Sequence, residues 1–233
     1  MRLQVFLSSS GVTSRRNAKK LIEEGKVAIN GKKIDKASFD VDPEKDIVVL
    51  QGKKLKLKKK IYVMLNKPKG FISTKKDPFA EKKIIDLLPS NLRHLNPVGR
   101  LDKDTTGLLL FTNDGDLLNK LTHPSFEVKK TYLALLDKML SGPDKKRLEK
   151  GIRLEDGYTA PCSIAIKRDN QVEIIIHEGR KRQVRRMFKE IGYNVIELER
   201  IREGLLELGG LKQGTWKFLT EKEVVDCNYK CEK

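Results

Sequence analysis

The sequence predicts an α+β protein in two parts: a small helix-helix-strand module over residues 1–60, then a domain over residues 61–233 built on an extended, largely antiparallel sheet with flanking helices. Three observations carry this. Residues 14–25 place apolar side chains at helical spacing behind a capping serine, with a short apolar run after them. From Ile61 onward most apolar runs have strand length and are separated by turn-forming residues. The charge is also uneven: residues 1–60 carry 16 Lys and Arg against 7 Asp and Glu, and the remaining residues carry 33 against 25, so the first part is the more basic per residue.

Residues 4–8 read as a short helix. Ser14 caps a second, whose apolar residues Ala18, Leu21 and Ile22 share one face, and Gly25 ends it. Residues 27–29 form a strand before the turn Asn30-Gly31, residues 47–50 form a later strand, and residues 53–60 are a basic linker or hairpin. In the second part, residues 61–65 read as a buried strand and residues 66–70 as a loop whose Pro68 and Gly70 stop it. A helical turn closes at residues 86–89, a strand covers 128–136, a short helix 144–151, and a strand pair 163–176 turns at Asp169-Asn170. Val184, Met187, Phe188 and Ile191 form the stripe of a further helix that Gly192 ends.

Forty-nine Lys and Arg against 32 Asp and Glu leave a net charge of +17, which attracts polyanions, so nucleic acid is the expected partner. No apolar run has the length of a membrane span, and the first residues are too briefly apolar for a signal peptide, so a cytoplasmic location is expected. Cys162, Cys227 and Cys231 are an odd set without a second ligand pair for zinc and read as free thiols. His177-Glu178 opens like a zinc-protease helix, but Lys181 stands where the second histidine belongs.

The most telling segment is residues 96–116. Gly99-Arg100-Leu101-Asp102 sets a cation two residues before a carboxylate in a glycine-punctuated loop, and residues 108–111 read as a strand buried on both faces that would hold the loop still. Asn113-Asp114-Gly115 then turns the chain. Taken alone, a loop aspartate more often makes an Asx turn or a helix cap. A calcium loop would begin well with Asp102, Asp104, Thr106 and Gly107, but Leu110 and Asn113 occupy its last two ligand positions. A two-metal phosphoryl-transfer site from Asp102, Asp104, Asp114 and Asp116 matches the spacing and stays as an alternative.

These residues resemble the catalytic segment of the ribosomal RNA pseudouridine synthases of the small-subunit-enzyme type. The resemblance assigns Asp102 as the indispensable catalytic residue. It extends to Leu65-Asn66-Lys67-Pro68-Lys69-Gly70, to Leu121-Thr122-His123-Pro124, to Glu199-Arg200-Ile201 and to Gly209-Gly210-Leu211. In Lys129-Lys130-Thr131-Tyr132 it implies that Tyr132 stacks on the target base, and in Arg182-Gln183-Val184-Arg185-Arg186 it implies that Arg185 enters the cleft and pairs with Asp102. Residues 14–31 resemble the S4 RNA-binding module, which makes Arg15, Arg16, Lys19, Lys20, Lys26, Lys32 and Lys33 expected phosphate contacts. Lys67, Arg100, Arg182 and Arg186 are expected to meet RNA beside the cleft. Lys217 departs from the pattern, which leads one to expect arginine there.

The reaction so implied breaks the bond between uracil N1 and ribose C1′, turns the base and rejoins it through C5. It needs no cofactor, in keeping with a chain that has neither a Walker loop nor a dinucleotide fingerprint. Asp102 could attack C1′ or remove the 2′ proton, and both roles require an ionised carboxylate. The arginine-rich helix looks closer to large-subunit members, which points to 23S RNA in the ribosome or a pre-ribosomal particle, with the protein acting as a monomer. The rival reading is a non-catalytic S4-type ribosomal RNA-binding or ribosome-assembly factor, which would have no use for Asp102, Tyr132 and Arg185 together.

Overall fold

Ser14 caps its helix as its position suggests, accepting a hydrogen bond from the Asn17 amide at 3.2 Å. The computed structural model describes residues 1–74 and 81–228, and the chain divides into two units, residues 1–60 and 61–233. The first holds α1 (Leu3–Ser9), α2 (Arg15–Glu23), β1 (Val27–Ile29), β2 (Lys32–Ile34), β3 (Val48–Leu50) and β4 (Lys53–Lys54), with strand order β2-β1-β3-β4. Asn30 and Gly31 both take positive φ, +50° and +81°, as a two-residue hairpin turn requires. Leu3, Phe6, Leu7, Ala18, Ile22, Val27 and Val48 form the core between helices and sheet. The outer strands β2 and β4 are lysine-bearing and exposed, which protects sheet edges from pairing with other chains.

The second unit runs through β5 (Tyr62–Lys67), β6 (Asn96–Val98), β7 (Thr106–Thr112), α3 (Gly115–Thr122), β8 (Lys130–Leu136), α4 (Gly142–Glu149), β9 (Arg153–Leu154) and β10 (Gly157–Tyr158). It continues with β11 (Ser163–Arg168), β12 (Gln171–Ile176), α5 (Gln183–Glu190), β13 (Val195–Glu203), β14 (Leu206–Glu207), β15 (Trp216–Phe218) and α6 (Glu221–Asn228). The main sheet has the order β11-β12-β8-β13-β7-β5-β15, with β6 on β7 and β14 on β13. Among the described strands only β7 and β13 pair in parallel. One sheet face carries Val63, Leu65, Leu109, Phe111 and Ala134 under Leu148 of α4 and Val184, Met187 and Phe188 of α5. The other carries Met64, Leu108 and Leu110 under Leu117 and Leu121 of α3. Strand β7 is therefore buried on both faces.

Three elements differ from the expectation, each for a local reason. The turn at Asn113-Asp114-Gly115 leads into a helix, because Asp114 Oδ1 accepts from the amides of Asp116 (3.1 Å) and Leu117 (3.3 Å). Strand β5 runs on through Asn66 and Lys67, whose partners on β7 are Leu108 and Gly107. Strand β13 has a charged sequence, and it forms because β8 pairs along most of its length and β7 adds a parallel contact at Glu199 and Arg200. At its contact with β7, Gly107 has φ +102°, and a Cβ there would lie 2.3 Å from the Arg200 carbonyl oxygen.

Candidate active site

The loop between β6 and β7 is fixed almost atom by atom through its backbone. The Ser73 hydroxyl donates to the Leu101 carbonyl (2.7 Å) and accepts from the Leu101 amide (3.1 Å). The Gly70 amide donates to the Lys103 carbonyl at 2.8 Å, and the Thr105 amide closes a turn onto the Asp102 carbonyl at 3.1 Å. Lys67 is fully buried, and its ammonium donates to the carbonyls of Thr105 (2.8 Å), Pro68 (3.2 Å) and Lys103 (3.3 Å). Among the described residues the half-buried Asp102 carboxylate makes no hydrogen bond or ion pair of its own. A loop tied down on both sides thus presents one free carboxylate, the kind of preorganisation that catalysis uses.

The charge around it is positive. The Asp102 carboxylate acts electrostatically on Lys67, Arg182 and Arg185 and on the Tyr132 phenol, so these side chains converge on one place. Arg182 binds the neighbouring Asp104 in a two-pronged pair, both N–O distances 2.8 Å, and Arg185 adds its Nε at 3.3 Å. The Arg182 hydrogen bonds hold the Asp104 carboxyl below the usual carboxylate range, against the opposing effect of burial.

Two expected roles change here. Arg185 pairs with Asp104, not Asp102: Asp104 offers it a carboxylate and also a carbonyl, which accepts from Nη2 at 3.1 Å, and Val195 accepts from Nη1 at 2.6 Å. Lys67, expected at the RNA-facing surface, is buried in this conformation. Because β5 continues through it, its side chain enters the interior, where three carbonyls satisfy its ammonium.

Tyr132, on β8, lies 8% exposed within the core cluster, so the broad stacking face expected of it is covered in this conformation. Burial pushes its phenol up, while the charge of nearby Arg200 acts the other way. Arg200 is itself 1% exposed, donates from Nε to the Leu108 carbonyl at 2.8 Å and pairs with the equally buried Glu203 at 3.3 Å. Sequence reasoning left Ser73 without a role, considered Asp104 only as a metal ligand, gave Glu203 no role and noted Arg200 only as part of a motif. The signal for the last two was available: charged residues in a segment whose alternate positions are apolar need partners when the segment becomes a strand.

Of the other cations, Arg100 is exposed. Arg182 is committed to Asp104, and Arg186 to Asp156 with both N–O distances 2.9 Å, so these guanidiniums hold loops in place. In the first unit Arg15, Arg16, Lys19, Lys20, Lys26, Lys32 and Lys33 are exposed, with Lys19 beside Glu23 (3.6 Å) and Lys26 beside Glu24 (2.6 Å). Lys217 Nζ pairs with Glu223 at 2.6 Å, linking β15 to α6.

The two-metal alternative does not survive the geometry. Asp102 and Asp104 precede β7 and Asp114 and Asp116 follow it, so roughly 20 Å of strand separates the pairs. Asp104 is also occupied by arginine, and Asp114 caps α3 and accepts from the Tyr62 hydroxyl at 2.8 Å. Cys162 and Cys227 are free thiols that burial pushes up to about 12, and Cys231 lies outside the described residues. No helix among the described residues is long and apolar enough to cross a membrane.

Comparison with known proteins returns the same two parts. Residues 61–190 match the RNA pseudouridylate synthase family and residues 1–48 the S4 domain. The chain is 42% identical to ribosomal large subunit pseudouridine synthase B of Bacillus subtilis, over 96% of this chain and 93% of that protein. It is 41% identical to an RNA pseudouridine synthase of Aquifex aeolicus, over 96% and 92%. A crystal structure of a pseudouridylate synthase superimposes with TM-score 0.71 at 32% identity, covering 97% of this chain and 99% of that one.

Proposed function

From the premise that this chain belongs to the RNA pseudouridine synthases with an N-terminal S4 domain, we propose that it isomerises one uridine of large-subunit (23S) ribosomal RNA, acting as a monomer on the RNA or a pre-ribosomal particle. The large-subunit assignment is supported by the similarity to the Bacillus subtilis enzyme. The observation that carries the catalytic reading is the free Asp102 carboxylate on a loop otherwise fixed by Ser73, Gly70, Lys67 and Arg185.

In this reading the uridine leaves its stack and enters beside Asp102. The carboxylate attacks C1′, or removes the 2′ proton, as the bond to N1 breaks. The uracil turns and C5 bonds to C1′ as the Asp102 ester bond breaks, or as the 2′ proton is returned; the C5 proton is lost and N1 gains one, so atoms balance without any imported group. Tyr132 contacts the extruded base from the sheet side. Arg185 acts at one remove, holding Asp104 and so the loop's orientation. The exposed cations of the S4 domain bind phosphates of the same RNA.

The test is Asp102→Asn, which keeps size and polarity and removes the ionised oxygen. Tritium release from C5-labelled uridine RNA should be abolished and RNA binding retained. A variant that still releases tritium at an appreciable rate would falsify the assignment, and a native chain that binds RNA yet never releases tritium would make the protein a binding factor.

A further inference from the structure

The hairpin β9–β10 is too short to hold itself, with two residues in each strand, yet its tip is among the more heavily restrained places in the second unit. Arg180 donates from Nη1 to the carbonyls of Asp156 (3.2 Å) and Gly157 (3.0 Å) and from Nη2 to the carbonyl of Tyr158. Arg186 grips the Asp156 carboxylate with both prongs. Glu178 backs the arrangement, accepting from Arg180 Nε at 3.1 Å and from the Ala160 amide at 3.0 Å. At the hairpin's base the Ile152 amide donates to Thr159 Oγ1 at 3.0 Å, and Gly151 approaches the Thr159 carbonyl so closely that a Cβ would sit 2.4 Å from it.

What all this restraint presents to solvent is an aromatic ring. Tyr158 is 70% exposed and lies opposite the exposed Arg153 in the strand register. Arg186 balances Asp156, and Arg153 keeps a cation beside the ring. The helix turn that holds the hairpin through Arg186 also holds the Asp102 loop through Arg182 and Arg185, so ring and catalytic loop are fastened to one element. Packing gives a fixed, uncovered ring little stability in the free protein, whereas an unpaired base would cover it and the adjacent Arg153 would meet a phosphate.

We propose that Tyr158 is a stacking platform for an unpaired nucleotide of the RNA substrate, next to the uridine that enters the cleft. The proposal rests on the RNA reading above and adds a contact outside the catalytic centre. It makes single-strandedness beside the target a requirement for tight binding, with little preference among bases because every base has a π-face.

The experiment uses the full chain, a hairpin RNA with an unpaired uridine-containing loop, the same hairpin with abasic loop positions flanking the uridine, and a fully paired duplex. Y158A should raise the Kd for the hairpin about tenfold and leave the duplex unchanged, with Y158F and Y158W binding as the native chain does. On the abasic hairpin Y158A should add nothing further. In Y158W the new indole should be quenched by the hairpin and not by its abasic form. Equal hairpin affinity of Y158A and the native chain, an equal loss on duplex, or no quench in Y158W overturns the platform. Tritium release measured in parallel separates the two readings: quenching without any isomerisation sinks the enzyme assignment and leaves the platform, and isomerisation with unaltered Y158A binding does the reverse. A partner protein that competes for the Y158W signal while RNA does not would assign the ring to a protein surface and overturn the proposal.

Discussion

Lys67 is where identity and environment part company. A lysine in a basic protein reads as a surface charge, and only the continuation of β5 puts it inside, against the carbonyls that shape the Asp102 loop. Burial lowers its pKa to about 8, with Asp104 and Asp102 opposing the shift. Since the folded value lies below the unfolded one, the unfolded chain binds more protons between the two, so this group's contribution to stability rises with pH in that window. The clamp itself weakens there, because a neutral amine has fewer donors and no charge. Single-turnover rate should therefore fall as pH rises through about 8, while the melting temperature does not fall on this group's account. Lys67→Met should lower the rate at neutral pH and remove that alkaline limb; an unchanged limb would assign it to another group. Tyr132 yields a second prediction. Tyr132→Phe removes a buried hydroxyl beside the Arg200 charge, so it should lose stability by about 1 kcal/mol in a denaturant titration. Asp102 was the easier residue to read, because a charge in a glycine-marked loop before an apolar strand is visible without coordinates. The partner of Arg185 was not: Asp102 and Asp104 differ by two positions in one loop, and only backbone geometry decides which of them an arginine meets.

At the scale of elements, periodicity revealed what local chemistry specifies and missed what neighbours impose. The capped helix α2, the Asn30-Gly31 hairpin and the stripe of α5 follow from their own residues. Strand β13 does not, since its charged sequence becomes a strand only when β8 and β7 offer their backbones to it. Gly107 is the junction that permits this. Gly107→Ala places a methyl against the Arg200 backbone at a positive φ, so it should destabilise the chain by about 3 kcal/mol, with m unchanged. A variant with native stability would show that β7 and β13 can separate without loss. Asp114 is the counterpart at the other end of β7. Replacing it with alanine should cost about 1 kcal/mol from the missing α3 cap, to which the Tyr62 hydrogen bond adds, measured as a shift in the denaturation midpoint.

For the whole molecule, the densely basic helix and the Asp102 loop fall in different units. The exposed Arg15, Arg16, Lys19 and Lys20 of α2 belong to the first unit, and Asp102 with its surrounding side chains to the second. Changing those four to glutamine should weaken RNA binding and flatten the slope of log K against log salt by about 0.7 for each single-strand phosphate that is no longer neutralised. Single-turnover rate at saturating RNA should persist; an unchanged slope would move the phosphate-binding cations elsewhere. The main sheet adds a constraint of another kind. Strand β5 is completed by β15, where Trp216 meets Leu65, and β7 is completed by β13, so the centre of the sheet is closed by segments made long after it. On a ribosome adding roughly 5–20 residues each second, β5 and β7 wait several seconds or more for these partners, their apolar edges open. A chain released by premature termination before Trp216 would keep β5 as a raw edge, so such products are candidates for aggregation and for capture by chaperones, whatever the catalytic loop they carry.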